Sequence, residues 1–148
     1  MASDLQIDAE CVEWSNDSNI KVKENKSSYN LVNDLKLKIG KVHVDGCLVK
    51  YGKRCDYLYT IPAKSCHILI ELKGTDFSSA IDQITNTLAL FKGRLEGVFH
   101  GRIVLSRSPS PDLRPISYRN LRDKLLKEKG SLEYGTIFYE EKLSTICK

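Results

Sequence analysis

The chain has 148 residues, 41% of them apolar and 28% charged, with a formal net charge of +4. These proportions suit one domain with a real core and exclude a disordered or fibrous protein. No apolar run approaches the ~20 residues of a membrane span, and the start MASDLQIDAECVEW lacks the basic and long apolar parts of a secretory signal.

Residues 1–40 are the least legible and are expected to pack on the core as an N-terminal segment. Residues 1–20 contain Asp4, Asp8, Glu10, Glu13 and Asp17 but no Lys or Arg, which leaves a net +9 on residues 21–148. A basic body behind an acidic lead segment suits a polyanion partner, although many ordinary proteins are as basic. DAECVEW can start a short helix, and NDSNIKVKENKSSYN reads as polar loop around a short strand at Ile20–Lys23. Trp14 reads as packing.

From Lys41 the pattern sharpens, and residues 41–106 form the expected core. KVHVDGCLVK alternates, with Asp45-Gly46 as a kink or bulge; RCDYLYTI and CHILIELK are further strands, joined by short turns. Three strands so connected predict an antiparallel meander. After Gly74 the period changes to 3.6: Phe77, Ile81, Ile84, Leu88 and Phe91 make one apolar stripe, Thr75 or Asp76 can cap its start, and Lys92-Gly93 ends it. HGRIVLS is a fourth strand.

In residues 107–148 a Pro/Ser/Arg loop precedes a helix over Ser117–Lys129, and LEYGTIFYEEK reads as one last strand. The order predicts a single α/β domain, a mixed β-sheet flanked by helices.

Cys11, Cys47, Cys55, Cys66 and Cys147 form no CxxC pair and are odd in number. With no export signal, the expectation is reduced thiols in a cytoplasmic chain. His43, His67 and His100 join no cysteine pair at zinc spacing, and His43 and His67 read as structural strand residues.

The chemistry lies at the end of CHILIELK. Side chains alternate along a strand, so Glu71 and Lys73 share one face while Leu72 points into the core. The preceding antiparallel strand can bring Asp56 beside Glu71. Two convergent carboxylates are costly without positive charge between them. Lys73 supplies part of it, and a divalent cation would supply the rest. Oxygen ligands, with the Leu72 carbonyl as a third, suit Mg²⁺ or Mn²⁺ better than zinc. Such an ion can activate water against a phosphodiester. The bland alternative is a solvent-facing ion pair on an edge strand, with Asp56 in an unrelated turn, since Glu and Lys are common residues.

Asp56, a gap of fourteen residues, and Glu71-Leu72-Lys73 on adjacent strands resemble the motif of the PD-(D/E)XK nuclease superfamily. The resemblance covers about the middle half of the chain. It implies a restriction-endonuclease-like fold and metal-dependent cleavage of DNA or RNA. Asp56 and Glu71 would be metal ligands, Lys73 the catalytic lysine, and Gln83 a polar residue supplied by the following helix. The chain departs from the pattern at Cys55, where the superfamily's name has Pro, and at Thr87, where one branch has Tyr. Many members add a Glu from an N-terminal helix, for which Glu10 and Glu13 are candidates.

Arg102, Arg107 and Arg114 surround the SPSP loop and are candidate phosphate contacts, with a solvated loop as the plain alternative. The expected partner is nucleic acid, DNA more than RNA, with no membrane association. At this size there is no separate base-reading domain, so weak specificity for structure or ends, or a homodimer placing two sites on a duplex, is expected. The competing expectation keeps the fold without the chemistry: a nuclease inhibitor or a subunit of a nucleic-acid complex, with the acidic lead segment as a partner-binding arm.

Overall fold

The computed structural model describes residues 9–50, 52, 54–73, 76–107 and 116–148, with Lys73 described by its backbone alone. A 3-10 turn at Ala9–Cys11 leads into β1 (Val12–Ser15), followed by β2 (Asn19–Glu24) and β3 (Ser27–Val32). Next come β4 (Ile39–His43), β5 (Tyr57–Ile61), β6 (Cys66–Lys73), α1 (Phe77–Lys92) and β7 (Val98–Leu105). The chain continues with α2 (Ile116–Lys127), β8 (Ser131–Thr136), β9 (Phe138–Lys142) and α3 (Leu143–Ile146).

Six strands form one sheet in the order β1-β4-β5-β6-β7-β8. The first four are antiparallel neighbours, including the expected β4–β5–β6 meander, whereas β6, β7 and β8 run parallel. The mixed-sheet α/β domain read from the sequence is therefore what forms. Helix α1 is the crossover that parallel pairing of β6 and β7 requires. Its apolar stripe packs with α2 on the face carrying Val42, Leu58, Leu69 and Ile103. Asp76 caps its first turn by accepting a hydrogen bond from Ser79 N at 2.9 Å.

A second sheet, β2-β3-β9, covers the opposite face. Tyr29, Leu31, Ile39, Tyr59, Ile68, Ile70 and Val104 pack between the two sheets. Strand β6 is thus covered on both sides, which explains why CHILIELK reads as a nearly continuous apolar run rather than a strict alternation.

Three expectations are corrected. The stretch NDSNIKVKENKSSYN is a β-hairpin rather than mostly loop, with Asn25 at φ 51° in its turn. DAECVEW gives only the short 3-10 turn before continuing as β1, antiparallel to β4. LEYGTIFYEEK is two strands in two different sheets, joined at Ile137, whose φ is 63°. At that joint Ile137 N donates to Leu105 O and Ile137 O accepts from Ser28 N, so one residue ties the sheets together. Gly135 allows the close crossing, because a Cβ there would meet the Tyr139 ring at 2.6 Å. Trp14 packs over Gly40 but remains 40% exposed, with the Lys38 ammonium 4.8 Å above its ring.

The cysteines also depart from expectation. Cys11 is bonded to Cys47 and Cys66 to Cys147, leaving Cys55 as the free, buried thiol. Fold proximity brings together partners 36 and 81 residues apart, which spacing alone does not show. Titration of the denatured chain with a thiol-reactive chromophore is expected to find one thiol before reduction and five after. Five thiols before reduction would restore the reading of a fully reduced chain.

Candidate active site

Asp56 stands immediately before β5, and Glu71 near the end of β6. The register pairs Tyr57 with Ile70, so Asp56 faces Glu71 across the hairpin. Two hydrogen bonds lock the pair: Asp56 N donates to Glu71 Oε1 at 3.1 Å, and Leu72 N donates to Asp56 Oδ2 at 2.8 Å. Each carboxylate is therefore held by the backbone of the segment that carries or adjoins the other. Glu71 is only 2% exposed. In an extended strand a residue's N–H and C=O leave by the same edge, so the Leu72 carbonyl leaves β6 on the side of Asp56.

The segment before β5 is fastened by α1. Thr87 Oγ1 accepts from Cys55 N at 2.8 Å and donates to Gln83 O at 2.7 Å. Gln83 Nε2 donates to Arg54 O at 3.1 Å, and its Oε1 accepts from Ser79 Oγ at 3.4 Å. Ser79, Gln83 and Thr87 recur every four residues and make a polar stripe beside the apolar one. Gln83 thus holds the backbone that presents Asp56. The change to Thr87, read from sequence as a departure, supplies a second backbone anchor.

Sequence reasoning missed Glu24. It sits at the end of β2 in the other sheet, and its carboxyl hydrogen-bonds to Asp56. Burial, above all, pushes the Asp56 carboxyl up to about 7; the Leu72 N–H opposes the rise, while Glu24 and Asp45 add to it. Acids from three places in the chain therefore act on one another here, and they add to a rise whose main cause is burial. Glu24 is thus an acid from the N-terminal part of the chain that acts on Asp56. No periodicity in the sequence marks it, because its approach depends on how the two sheets stack.

Among the described residues, no three His, Cys, Asp or Glu side chains form a ready-made metal-ligand group. Burial, first of all, raises the Cys55 thiol well above its ordinary range, with Glu71 and Asp56 adding to the effect, so it is not a nucleophile. His67 is structural: Nδ1 lies 2.9 Å from Thr60 Oγ1 and Nε2 2.9 Å from Glu96 O.

The arginines separate. Arg107 is exposed just past β7, at the same end of the sheet as Glu71. Arg102 is 4% exposed and ion-paired with Glu141 at 2.7 Å, so it does not join Arg107 as a free phosphate contact. Arg114 and the SPSP loop lie outside the described residues, as does the Lys73 side chain; the Lys73 backbone pairs with Leu105.

Comparison with known proteins finds no matching family model, curated relative or solved structure. The resemblance to PD-(D/E)XK nucleases thus rests on Asp56, Glu71, Lys73 and the elements that carry them.

The raised Asp56 carboxyl has a consequence for stability. Its folded-state value of about 7 exceeds its ordinary 3.8, so the folded chain binds the proton more tightly than the unfolded one. That stabilising contribution is present below the ordinary value and is lost as pH climbs through the folded one. Asp56→Asn keeps an oxygen for Leu72 N but carries no charge. In EDTA at pH 8 it is expected to be more stable than wild type by on the order of 1 kcal/mol, a few degrees in Tm. At pH 3.5, below both values, the two should melt together. A wild type more stable than Asp56→Asn at pH 8 would show that the site is not short of positive charge.

Proposed function

We propose that the protein is a metal-dependent nuclease that hydrolyses phosphodiester bonds of nucleic acid, DNA in preference to RNA, with Mg²⁺ or Mn²⁺ as cofactor and a restriction-endonuclease-like arrangement of β4–β5–β6–α1–β7. The observation that carries this reading is the reciprocal locking of Asp56 and Glu71 at the end of a buried hairpin, with Glu24 pressed against Asp56. Solvating such acids would cost nothing at the surface. Burying them together is destabilising, and a divalent cation relieves the cost.

The donor set suits a hard ion. Mg²⁺ keeps several waters and needs only one or two carboxylates, so the lack of a three-ligand group among the described residues is compatible with it. Asp56 and Glu71 would hold the ion together with the Leu72 carbonyl. When bound, the ion would lower the pKa of a coordinated water and offset charge on the phosphate. Lys73, two residues along β6 from Glu71, is assigned to orienting the attacking water and contacting the phosphate. Glu24 is assigned as a further acid of the site, Gln83 and Thr87 as positioning residues, and Arg107 as a phosphate contact at the rim.

Weak sequence specificity belongs to the same proposal, with a homodimer as the arrangement that cuts both strands of a duplex. A cytoplasmic location belongs to the same proposal, although two disulfides are commoner in an oxidising compartment.

One other reading keeps the scaffold without the chemistry: a non-catalytic binding or regulatory protein, a nuclease inhibitor or a subunit of a nucleic-acid complex. Cleavage assays on single- and double-stranded DNA and RNA distinguish the two. Wild type is expected to cut with Mg²⁺ or Mn²⁺ and stop in EDTA. Asp56→Asn, Glu71→Gln and Lys73→Ala should each lose at least about a hundredfold in rate, with unchanged circular dichroism. Variants that cut like wild type would sink the assignment. Metal-independent binding by a chain that cuts nothing would select the regulatory reading.

A further inference from the structure

A cavity of about 450 Å³ opens where β6 and β7 begin, at the opposite end of these strands from Asp56 and Glu71. Its walls come from elements distant in sequence, including Lys64, Val98, His100, Lys129 and Ile146. The Cys66–Cys147 disulfide forms part of the lining.

The floor has a defined proton inventory. Arg102 Nη2 donates to Ser131 Oγ at 2.9 Å, and the same oxygen lies 2.8 Å from His100 Nδ1. A guanidinium only donates, so Ser131 Oγ accepts from Arg102 and its own hydroxyl proton is available to His100 Nδ1. With Nδ1 accepting that proton, the proton of the neutral ring sits on Nε2. Burial, with Arg102 and His67 adding, lowers the His100 pKa to about 4, so the ring is neutral at physiological pH. His100 is 95% removed from solvent, and its Nε2–H has no hydrogen-bond partner among the described residues.

The charge around this donor is one-sided. Lys64, Lys129 and Lys148 come from three different parts of the chain, and none is paired with an acid among the described residues. Glu141 is the acid in the lining, and it is already engaged by Arg102 Nε at 2.7 Å and Tyr29 Oη at 2.6 Å. Lys129 also adopts φ 70°, a left-handed conformation in which glycine would be cheaper. A lining rich in donors and cations, with Glu141 already occupied, selects an anion. Its volume falls in the range of small-molecule sites, and Val98, Ile146 and the disulfide offer an apolar side.

We propose that this cavity binds a small phosphorylated organic molecule of about mononucleotide or sugar-phosphate size, with the phosphate held by His100 Nε2–H and the ammonium groups of Lys64, Lys129 and Lys148. The inference does not depend on the nuclease reading, because it needs neither metal nor cleavage.

Calorimetry and thermal melting in EDTA test it, with AMP, glucose 6-phosphate, inorganic phosphate, sulfate and a 5′-phosphorylated oligonucleotide as probes. AMP or glucose 6-phosphate is expected to raise Tm and to bind at least about tenfold more tightly than sulfate. The Lys64→Ala/Lys129→Ala variant removes two exposed side chains, so its free Tm should match wild type while its affinity falls about tenfold or more. Nitrogen NMR should show the Nε2–H tautomer at His100, with Nε2 shifting on addition of ligand. Failure of every probe to bind, equal binding of sulfate and AMP, binding of the oligonucleotide alone, or undiminished binding by the double variant would each overturn the proposal.

Discussion

Strand β6 is covered on both faces, by helices on one side and by the β2-β3-β9 sheet on the other. His67 and Glu71 on it are therefore almost wholly withdrawn from water and find their partners inside the protein. His67 does so with Thr60 and the Glu96 carbonyl. Glu71 does so with the Asp56 backbone N–H, and that bond fixes where Asp56 begins. Asp56 in turn takes the N–H of Leu72. The geometry of the acidic site follows from this constraint on one strand, and loosening it would release both carboxylates together.

Helix α1 extends the constraint. Its apolar stripe anchors it to the sheet, while Gln83 and Thr87 grip the backbone leading to Asp56 and Ser79 steadies Gln83. The main-chain groups of Arg54 and Cys55 lie under the helix and would be costly to leave unpaired. The resulting rigidity keeps acids close that would otherwise move apart to lower their repulsion. Helix and strand thus hold Asp56 in a place that its own charge disfavours, the usual condition of a site whose geometry serves something other than stability.

Much of this was legible in the sequence where a short-range rule governs it. The span CHILIELK, the period change at Gly74, the Asp76 cap and the proximity of Asp56 to Glu71 all follow from alternation, helical spacing or hairpin geometry. What was not legible depends on longer-range packing. The break at Ile137 carries no Gly or Pro at the turning residue, so LEYGTIFYEEK reads as one strand. Glu24 reaches Asp56 only because a separate sheet stacks over β5 and β6, and the cysteine pairs are joined only in three dimensions. The family resemblance points to Gln83, but its role is read from its bond to the Arg54 carbonyl. Arg102 was grouped with Arg107 by nearness in sequence, yet strand alternation and Glu141 bury it.

The two charged regions lie at opposite ends of β6. From Cys66 to Glu71 the strand spans about 17 Å, beyond the ~8 Å screening length of physiological salt. Close together, the lysines of the cavity and the carboxylates of the hairpin would neutralise one another; separated, each keeps its own sign. The basic end attracts phosphate without assistance. The acidic end repels it, because Glu24 and Asp45 act on Asp56, whose carboxyl is raised first by burial and further by these acids. A phosphodiester approaching that end must therefore meet a cation there first, or arrive with one. For the proposed nuclease, electrostatics alone sets this order: metal before or with nucleic acid, with rim charges such as Arg107 guiding the backbone only after the carboxylates have been neutralised.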